Sequence, residues 1–300
     1  MCLLNILQKL KNDLDFEIVI AHINHGLREK AIDDENFVKN YAELNQIPIY
    51  IKRAKVGEIA KSQNKGLEET GRQVRYDFFE EVAKEIGASK IAIAHNSNDN
   101  VETIFMNVLR GSGINGLRGI EPIRNKRYIR PLIECSREEI EYYCEKNELN
   151  PRIDETNKEN NYTRNKIRNI CIPYLKQEFN PNIIKSINRL AETAREESKF
   201  IEEIVEKRYQ ELLIKEDNRK EIILNLKEFN KLPLVIKRRM VIYIIYKLCG
   251  STRGIQKIHI DDIIKMCENN IGNKYLTPQK GIKAMLKNKK IYFQLETNLP

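Results

Sequence analysis

Three short runs of β-branched and aliphatic residues, separated by stretches of helical periodicity, constrain the fold of this chain more than any other feature. Phe16–Ala21 (FEIVIA) leads into a polar turn with Gly26; Ile47–Ile51 (IPIYI) and Lys90–Ala94 (KIAIA) are the second and third runs. Helical patterns occupy roughly 33–45, 67–86 and 99–110; in the second, Val74, Phe78, Val82 and Ile86 stand four apart, and the third stops before Gly111. Strands that alternate with helices pair in parallel through right-handed crossovers, so the first half is expected to be an α/β domain. Ligands of such sheets bind at the carboxyl ends of the strands. Two His-bearing segments lie there, His22–His25 and His95. Met1–Leu10 also has a helical pattern, with Leu3, Leu4 and Leu7 on one side, but no strand precedes it and no capping residue is visible.

The second half has a different character. Asn180-Pro181 is a helix start, and Ile183, Ile187, Leu190, Ala194, Ile201, Val205 and Leu212 trace a stripe suited to a long amphipathic connector. Another helix is expected to follow Pro233 and stop at Gly250. The end is basic, with Lys274, Lys280, Lys283, Lys287, Lys289 and Lys290 among apolar and aromatic residues. Of the formal charge of +9, residues 1–150 contribute −2 and residues 151–300 contribute +11, so the second half is the better surface for a polyanion. No apolar run approaches the ~18 residues of a membrane span. The six Cys form no Cys-x-x-Cys and no zinc spacing, and read as reduced thiols of a cytoplasmic protein.

Four segments could carry chemistry. His22-Ile-Asn24-His25-Gly26-Leu27-Arg28 offers two His three apart; without a third ligand nearby, a strand-end turn with an Arg for a phosphate is the better reading than a metal site. Arg72 and Arg75 share a helix face and suit phosphate oxygens, although a solvated face paired with Glu68 and Glu69 would use the same spacing. His95 and Asp99 flank a strand–helix junction whose free N–H groups favour an anion; Asp99 could hold Mg²⁺ or orient an amine, or be a simple cap. Asp154 to Asn157, then Asn161-Tyr162-Thr163-Arg164-Asn165-Lys166-Ile167-Arg168, reads as a phosphate-contact segment or as an ordinary basic loop.

In this order the segments resemble one family closely, the tRNA(Ile)-lysidine synthetases of the N-type ATP pyrophosphatase (PP-loop) group. The resemblance rests on His-x-Asn-His-Gly-Leu-Arg at 22–28, Glu-x-x-Arg-x-x-Arg-Tyr-x-Phe-Phe at 69–79, Ala-His-Asn at 94–96 and Asp-x-x-x-Thr at 99–103. Leu-Arg-Gly-Ser-Gly at 109–113, Arg130-Pro-Leu132 and the run from Asp154 to Arg168 add to it. It covers about 1–175 with high specificity and 180–300 more loosely. The family's Asp-Asp pair is Asn98-Asp99 here, which leaves one carboxylate.

The resemblance implies a parallel-sheet PP-loop (adenine nucleotide alpha hydrolase-like) domain over 1–180, a helical connector over 181–213 and a mostly helical tRNA-specificity domain over 214–300. It implies ATP with Mg²⁺ as cofactor, and free L-lysine and tRNA(Ile) with a CAU anticodon as partners, in a cytoplasmic, homodimeric enzyme. His95, Asp99, Arg72 and Arg75 would be catalytic, with Asp99 the Mg²⁺ candidate. His22, Asn24, His25, Arg28 and Thr103 would bind ATP, and Arg110, Tyr162, Arg164, Asn165 and Arg168 would line the tRNA path. The family's phosphate loop, Ser-Gly-Gly-x-Asp-Ser, would lie before the Met1-Cys2-Leu3-Leu4 helix, so the chain is expected to lack its first strand and loop, to lack a last domain, and to be inactive alone. The alternatives are a PP-loop tRNA thiolase, against which the cysteine pattern argues, and a non-catalytic tRNA-binding remnant.

Overall fold

The computed structural model describes residues 1–26, 31–152, 159–160, 162–217, 220–252, 254–272, 275–279 and 281–295. Arg28, Asp154, Asn157, Asn161, Lys274 and Lys280 lie outside the described residues. The chain divides into two compact units, Met1–Glu192 and Thr193–Pro300.

The first unit opens with α1 (Cys2–Leu10), whose N-terminal Met1 supplies no side-chain cap. Its apolar side, Cys2 and Leu3, packs with Leu132 and Cys144. Strand β1 (Ile20–Asn24), helix α2 (Ala31–Leu44) and strand β2 (Ile49–Arg53) follow. β1 and β2 pair in parallel from Ile20↔Ile49 to Asn24↔Arg53. This corrects the strand positions expected from the runs at 16–21 and 47–51. Pro48 has no N–H, and its carbonyl accepts from Ile20 N at 2.9 Å, so the ladder starts there and both strands shift toward their carboxyl ends. His22 and Asn24 consequently lie within β1 rather than after it.

Helices α3 (Val56–Ser62) and α4 (Leu67–Glu85) lead to β3 (Ile91–Ala92). Of the expected stripe on α4, Phe78 and Val82 are buried, whereas Ile86, just past the helix, is exposed. Next come α5 (Ser97–Leu109), α6 (Ile114–Leu117), β4 (Ile123–Arg124), β5 (Tyr128–Ile129) and α7 (Arg137–Lys146). β5 pairs in parallel with β3 and antiparallel with β4, so the described strands of this unit form two sheets, β1–β2 and β3–β5–β4.

Helix α8 (Thr163–Lys166) continues through a π-helical turn at Ile167–Cys171 into α9 (Ile172–Glu178). Ile167 and Ile172 pack on Val101 of α5 together with Ile184. Ile184 belongs to α10 (Ile183–Leu212), within which the division between the units falls. Asn180 does not cap α10 directly: its Oδ1 accepts from Asn182 N at 2.9 Å, a turn that delays the helix by two residues. Leu190, placed on the buried stripe by its spacing, is exposed, and Ala191 is buried instead.

In the second unit, the rest of α10 joins β6 (Leu213–Asp217), β7 (Glu221–Asn225), α11 (Leu226–Lys231), α12 (Leu234–Cys249), α13 (Lys257–Glu268), β8 (Tyr275–Gln279), β9 (Ile282–Lys287) and β10 (Lys290–Leu295). Helices supply most of its regular residues. The basic end, expected only to be short and charged, folds into three strands of a five-stranded sheet ordered β6–β7–β10–β9–β8. The core lies between one face of that sheet and the helices, with Phe229, Met240, Ile244, Ile263, Ile282 and Phe293 all fully buried. α12 ends at Gly250 in the left-handed conformation, φ 70°, with Gly250 N bonded to Tyr246 O.

Candidate functional site

The first part of the site is built at the ends of β1 and β2. Asn24 is buried, and its side chain serves the local turn: Nδ2 donates to Glu35 Oε2 (3.0 Å) and Ala31 O (3.2 Å), and Oδ1 accepts from Gly26 N (3.0 Å). Gly26 has φ 63°, and a Cβ there would crowd the Ala54 carbonyl, so the turn needs glycine. Glu35, which no sequence pattern singled out, is buried against Arg53, whose Nη2 lies 2.6 Å from Oε1. The Arg53 hydrogen bonds hold the Glu35 carboxyl down to about 2 despite its burial. Burial lowers the pKa of His22, against the opposing pull of Glu35 and Asp34.

His25 lies beside Arg75 of α4. Its Nε2 lies 3.3 Å from Arg75 Nη2, and its buried Nδ1 has no hydrogen-bond partner among the described residues. Burial, then the Arg75 charge, lowers its pKa. Arg72 and Arg75 project from α4 on one face, as their spacing requires. Arg72 lies over the Tyr76 ring, 4.7 Å from its centroid, and donates to its hydroxyl. Partial desolvation and the adjacent Arg72 lower the pKa of Arg75. Neither arginine has a carboxylate partner among the described residues.

His95 lies between β3 and α5. Its Nδ1 accepts from Arg130 Nε at 3.0 Å. Burial, with Arg130, Arg164, Arg72 and Arg75 in decreasing order, pushes its pKa down to about 4, so the ring is neutral at physiological pH. Arg130, itself buried, also donates to Glu121 O. Four guanidiniums from three separate segments, two of them on α4, thus act on one neutral imidazole. Such a concentration of positive charge favours an anion with several oxygens, a phosphate above all.

Asp99 and Thr103 lie along α5. Asp99 forms a capping box with Asn96: Asp99 N donates to Asn96 Oδ1 (2.9 Å), and Asn96 N to Asp99 Oδ2 (3.1 Å). Its other oxygen accepts from Arg168 Nη2 at 3.1 Å. Thr103 Oγ1 donates to Asp99 O and accepts from Arg164. Glu102, missed by the sequence reading, is the hub. It is 1% exposed and takes Arg164 Nε at 2.9 Å and Arg168 Nε at 2.6 Å, with Arg137 Nη2 at 3.6 Å. The π-helical turn carries Arg168 onto this carboxylate. A glutamate on an amphipathic helix carries no sequence mark of burial; only the three arginines, distant in the chain, reveal it.

The remaining predicted residues are not among the groups that act on His95. Arg110 is exposed at the end of α5, Tyr162 is half exposed before α8, and Asn165 Nδ2 donates to Glu159 O at 2.7 Å. Asn98, in place of the second family carboxylate, accepts from Arg137 N at 3.0 Å. Among the described residues no group of three His, Cys, Asp or Glu gathers as a cation site, and both oxygens of Asp99 already accept hydrogen bonds. The described residues do not by themselves make a Mg²⁺ site. No helix among them is long and apolar enough to cross a membrane.

Residues 1–175 match the family model described as the PP-loop domain. The tRNA(Ile)-lysidine synthase of Clostridium perfringens (strain ATCC 13124) is 42% identical over 285 residues, 95% of this chain and 60% of that protein. Those of Clostridium acetobutylicum and Clostridioides difficile are each 41% identical, over 94% of this chain and 61% of their own length. The chain therefore spans about three fifths of the length of these relatives. Among solved structures, the U34-tRNA thiolase NcsA of Methanococcus maripaludis overlays with a TM-score of 0.49 at 19% identity, covering 62% of this chain and 68% of that one. With more than half of its length matched by the family model, the chain belongs to the PP-loop family.

Proposed function

We propose that this chain carries the ATP-dependent ligation of free L-lysine to carbon 2 of the wobble cytidine in tRNA(Ile) with a CAU anticodon. The observation that carries the reading is the concentration of positive charge on His95: Arg130 Nε lies 3.0 Å from its Nδ1, and the charges of Arg164, Arg72 and Arg75 add to the field that keeps the ring neutral. Relatives bearing the synthase name at about two-fifths identity support it. The base oxygen on carbon 2 attacks the α-phosphate of ATP and pyrophosphate leaves. The lysine ε-amine then attacks carbon 2 and expels AMP. Arg72 and Arg75, exposed and without a carboxylate partner among the described residues, bind phosphate oxygens and neutralise the charge that develops on them.

His95 is held neutral with Nδ1 engaged, so its Nε2–H is the group that can donate to a phosphoryl or leaving oxygen. Asp99, fixed by Arg168 and the capping box, orients the incoming amine. His25 borders Arg75 on the nucleotide side. Arg110 and Tyr162 meet tRNA directly; Arg164 and Arg168 act from their places on Glu102. The domain division proposed is a catalytic part over 1–180, a connector over 181–213 and a tRNA-holding part over 214–300. A tRNA substrate places the enzyme in the cytoplasm.

The test is incubation with ATP, labelled lysine and a tRNA(Ile) transcript carrying CAU, counting label in RNA. Incorporation that needs the cytidine, and a loss of about 10²-fold or more in kcat/KM on Arg75→Ala, is the expected outcome. Tight tRNA binding without any incorporation, in a chain to which the upstream strand and phosphate loop have been supplied, would count against the enzymatic reading.

A further inference from the structure

The second unit has a sheet face that its core does not use. In β9 and β10 the inward residues Ile282, Ala284, Leu286, Ile291 and Phe293 are buried. The alternate residues point to the opposite face. Register brings Tyr275 of β8 opposite Met285 of β9, and Met285 opposite Tyr292 of β10, so two tyrosines and a methionine form one row across three strands. None of the three belongs to the hydrophobic core, and Tyr275 is 57% exposed. Lys283 Nζ lies 4.0 Å from the centroid of the Tyr275 ring and steadies it. Lys287 and Lys290 pair opposite each other at the end of the same hairpin. Residues 275–295 contain five lysines and no acidic residue.

We infer that this face binds a single-stranded stretch of RNA, with bases stacked on Tyr275 and Tyr292 and the backbone phosphates on Lys283, Lys287 and Lys290. The inference rests on tRNA as the substrate and specifies which part of such a molecule this face takes: unpaired nucleotides rather than the duplex stems. Aromatic rings on a flat sheet accept the faces of unstacked bases, which a duplex keeps covered, and clustered lysines supply phosphate attraction without sequence preference. An acidic protein surface would satisfy the lysines but would leave the tyrosine row unused.

The intact chain is titrated with a fluorescent, unstructured RNA of about 10 nucleotides, with a duplex of equal length, and with poly-glutamate as competitor. Tighter binding of the single strand is expected. Tyr275→Ala should weaken it about tenfold, and Tyr275→Phe should leave it within about twofold, because the ring still stacks. Lys287→Ala with Lys290→Ala should flatten the salt dependence by about one unit of slope. Ultraviolet crosslinking followed by peptide mapping should place RNA on 275–295. Tyr275 lies outside the core, so its variants test binding rather than folding, and a thermal melt verifies this.

Unchanged affinity in Tyr275→Ala, equal or tighter binding of the duplex, crosslinks only elsewhere, or competition by poly-glutamate as effective as by RNA would each overturn the inference. Lysine incorporation is read separately. A chain that ligates no lysine but loses single-strand binding on Tyr275→Ala removes the enzymatic reading and leaves this one. Full incorporation with insensitivity at Tyr275 removes this one alone.

Discussion

Arg130 Nε donates to His95 Nδ1 at 3.0 Å, so a buried guanidinium determines which nitrogen of the imidazole is the acceptor. A ring held in this way cannot be protonated at Nδ1 without facing a cation. In a pH titration followed by ¹⁵N shifts, His95 is expected to titrate near pH 4 as the Nε2–H tautomer. Arg130→Gln removes the largest charge contribution and should move the midpoint upward. A wild-type midpoint near the ordinary histidine value would rule out the cationic surroundings of the ring.

Acid stability follows from the same region. The folded pKa of His95, about 4, lies below its ordinary 6.5, and that of Glu35, about 2, lies below its ordinary 4.5. In both cases the unfolded chain takes up protons first as pH falls. The His95 contribution is complete above about pH 6.5 and is lost as pH drops toward 4; the Glu35 contribution is complete above about pH 4.5 and is lost toward 2. Urea midpoints measured between pH 7 and 4 should fall steadily, and less steeply in His95→Gln. A flat profile over that range would contradict the His95 shift.

Glu102→Gln should destabilise the first unit strongly. The substitution preserves shape but leaves Arg164 and Arg168 beside a neutral amide in a site where the carboxylate is 1% exposed. Removing one partner of a buried ion pair costs about 3–5 kcal/mol, and the partial exposure of the arginines brings the expected loss to about 2–4 kcal/mol. Chemical denaturation of the variant measures it. A loss below about 0.5 kcal/mol would place Glu102 among ordinary surface ion pairs.

Two left-handed glycines should respond differently to alanine. At Gly119, φ 62°, a Cβ would collide with Asn100 Oδ1, the acceptor of Ile120 N at 2.6 Å. Asn100 Nδ2 also donates to Asn188 Oδ1 at 2.7 Å, so the clash would spread to the start of α10. Gly119→Ala is expected to cost on the order of 3 kcal/mol from overpacking and strain together. At Gly250, φ 70°, nothing lies within 4 Å of the added carbon, and the cost should be only the conformational one, about 1 kcal/mol. Thermal melts of the two variants distinguish them, and equal losses would refute the packing argument at Gly119.

Much of the local structure was legible because it depends on near neighbours. The four-residue spacing of Val74, Phe78 and Val82 marks α4 to within a residue, and Gly250 marks the end of α12. The strands were legible as apolar runs but not in register, since register depends on the partner: Pro48 and Ile20 set the ladder together. The sheet of the second unit was not read at all. Its strands are interleaved with lysines, and their buried residues alternate too briefly to stand out from a basic tail.

That an α/β unit comes first, that α4 presents Arg72 and Arg75 together, and that positive charge accumulates in the second half were all legible in the chain. Each follows from spacing or composition, which require no distant partner. Tertiary structure alone decided that His95 is neutral, that Glu102 is the hub of three arginines, and that Tyr275, Met285 and Tyr292 form one row. The physical reason is common to all three. A pKa, a buried ion network and a cross-strand row are properties of groups brought within a few ångströms by the fold, and in the chain those groups lie between 7 and 69 residues apart.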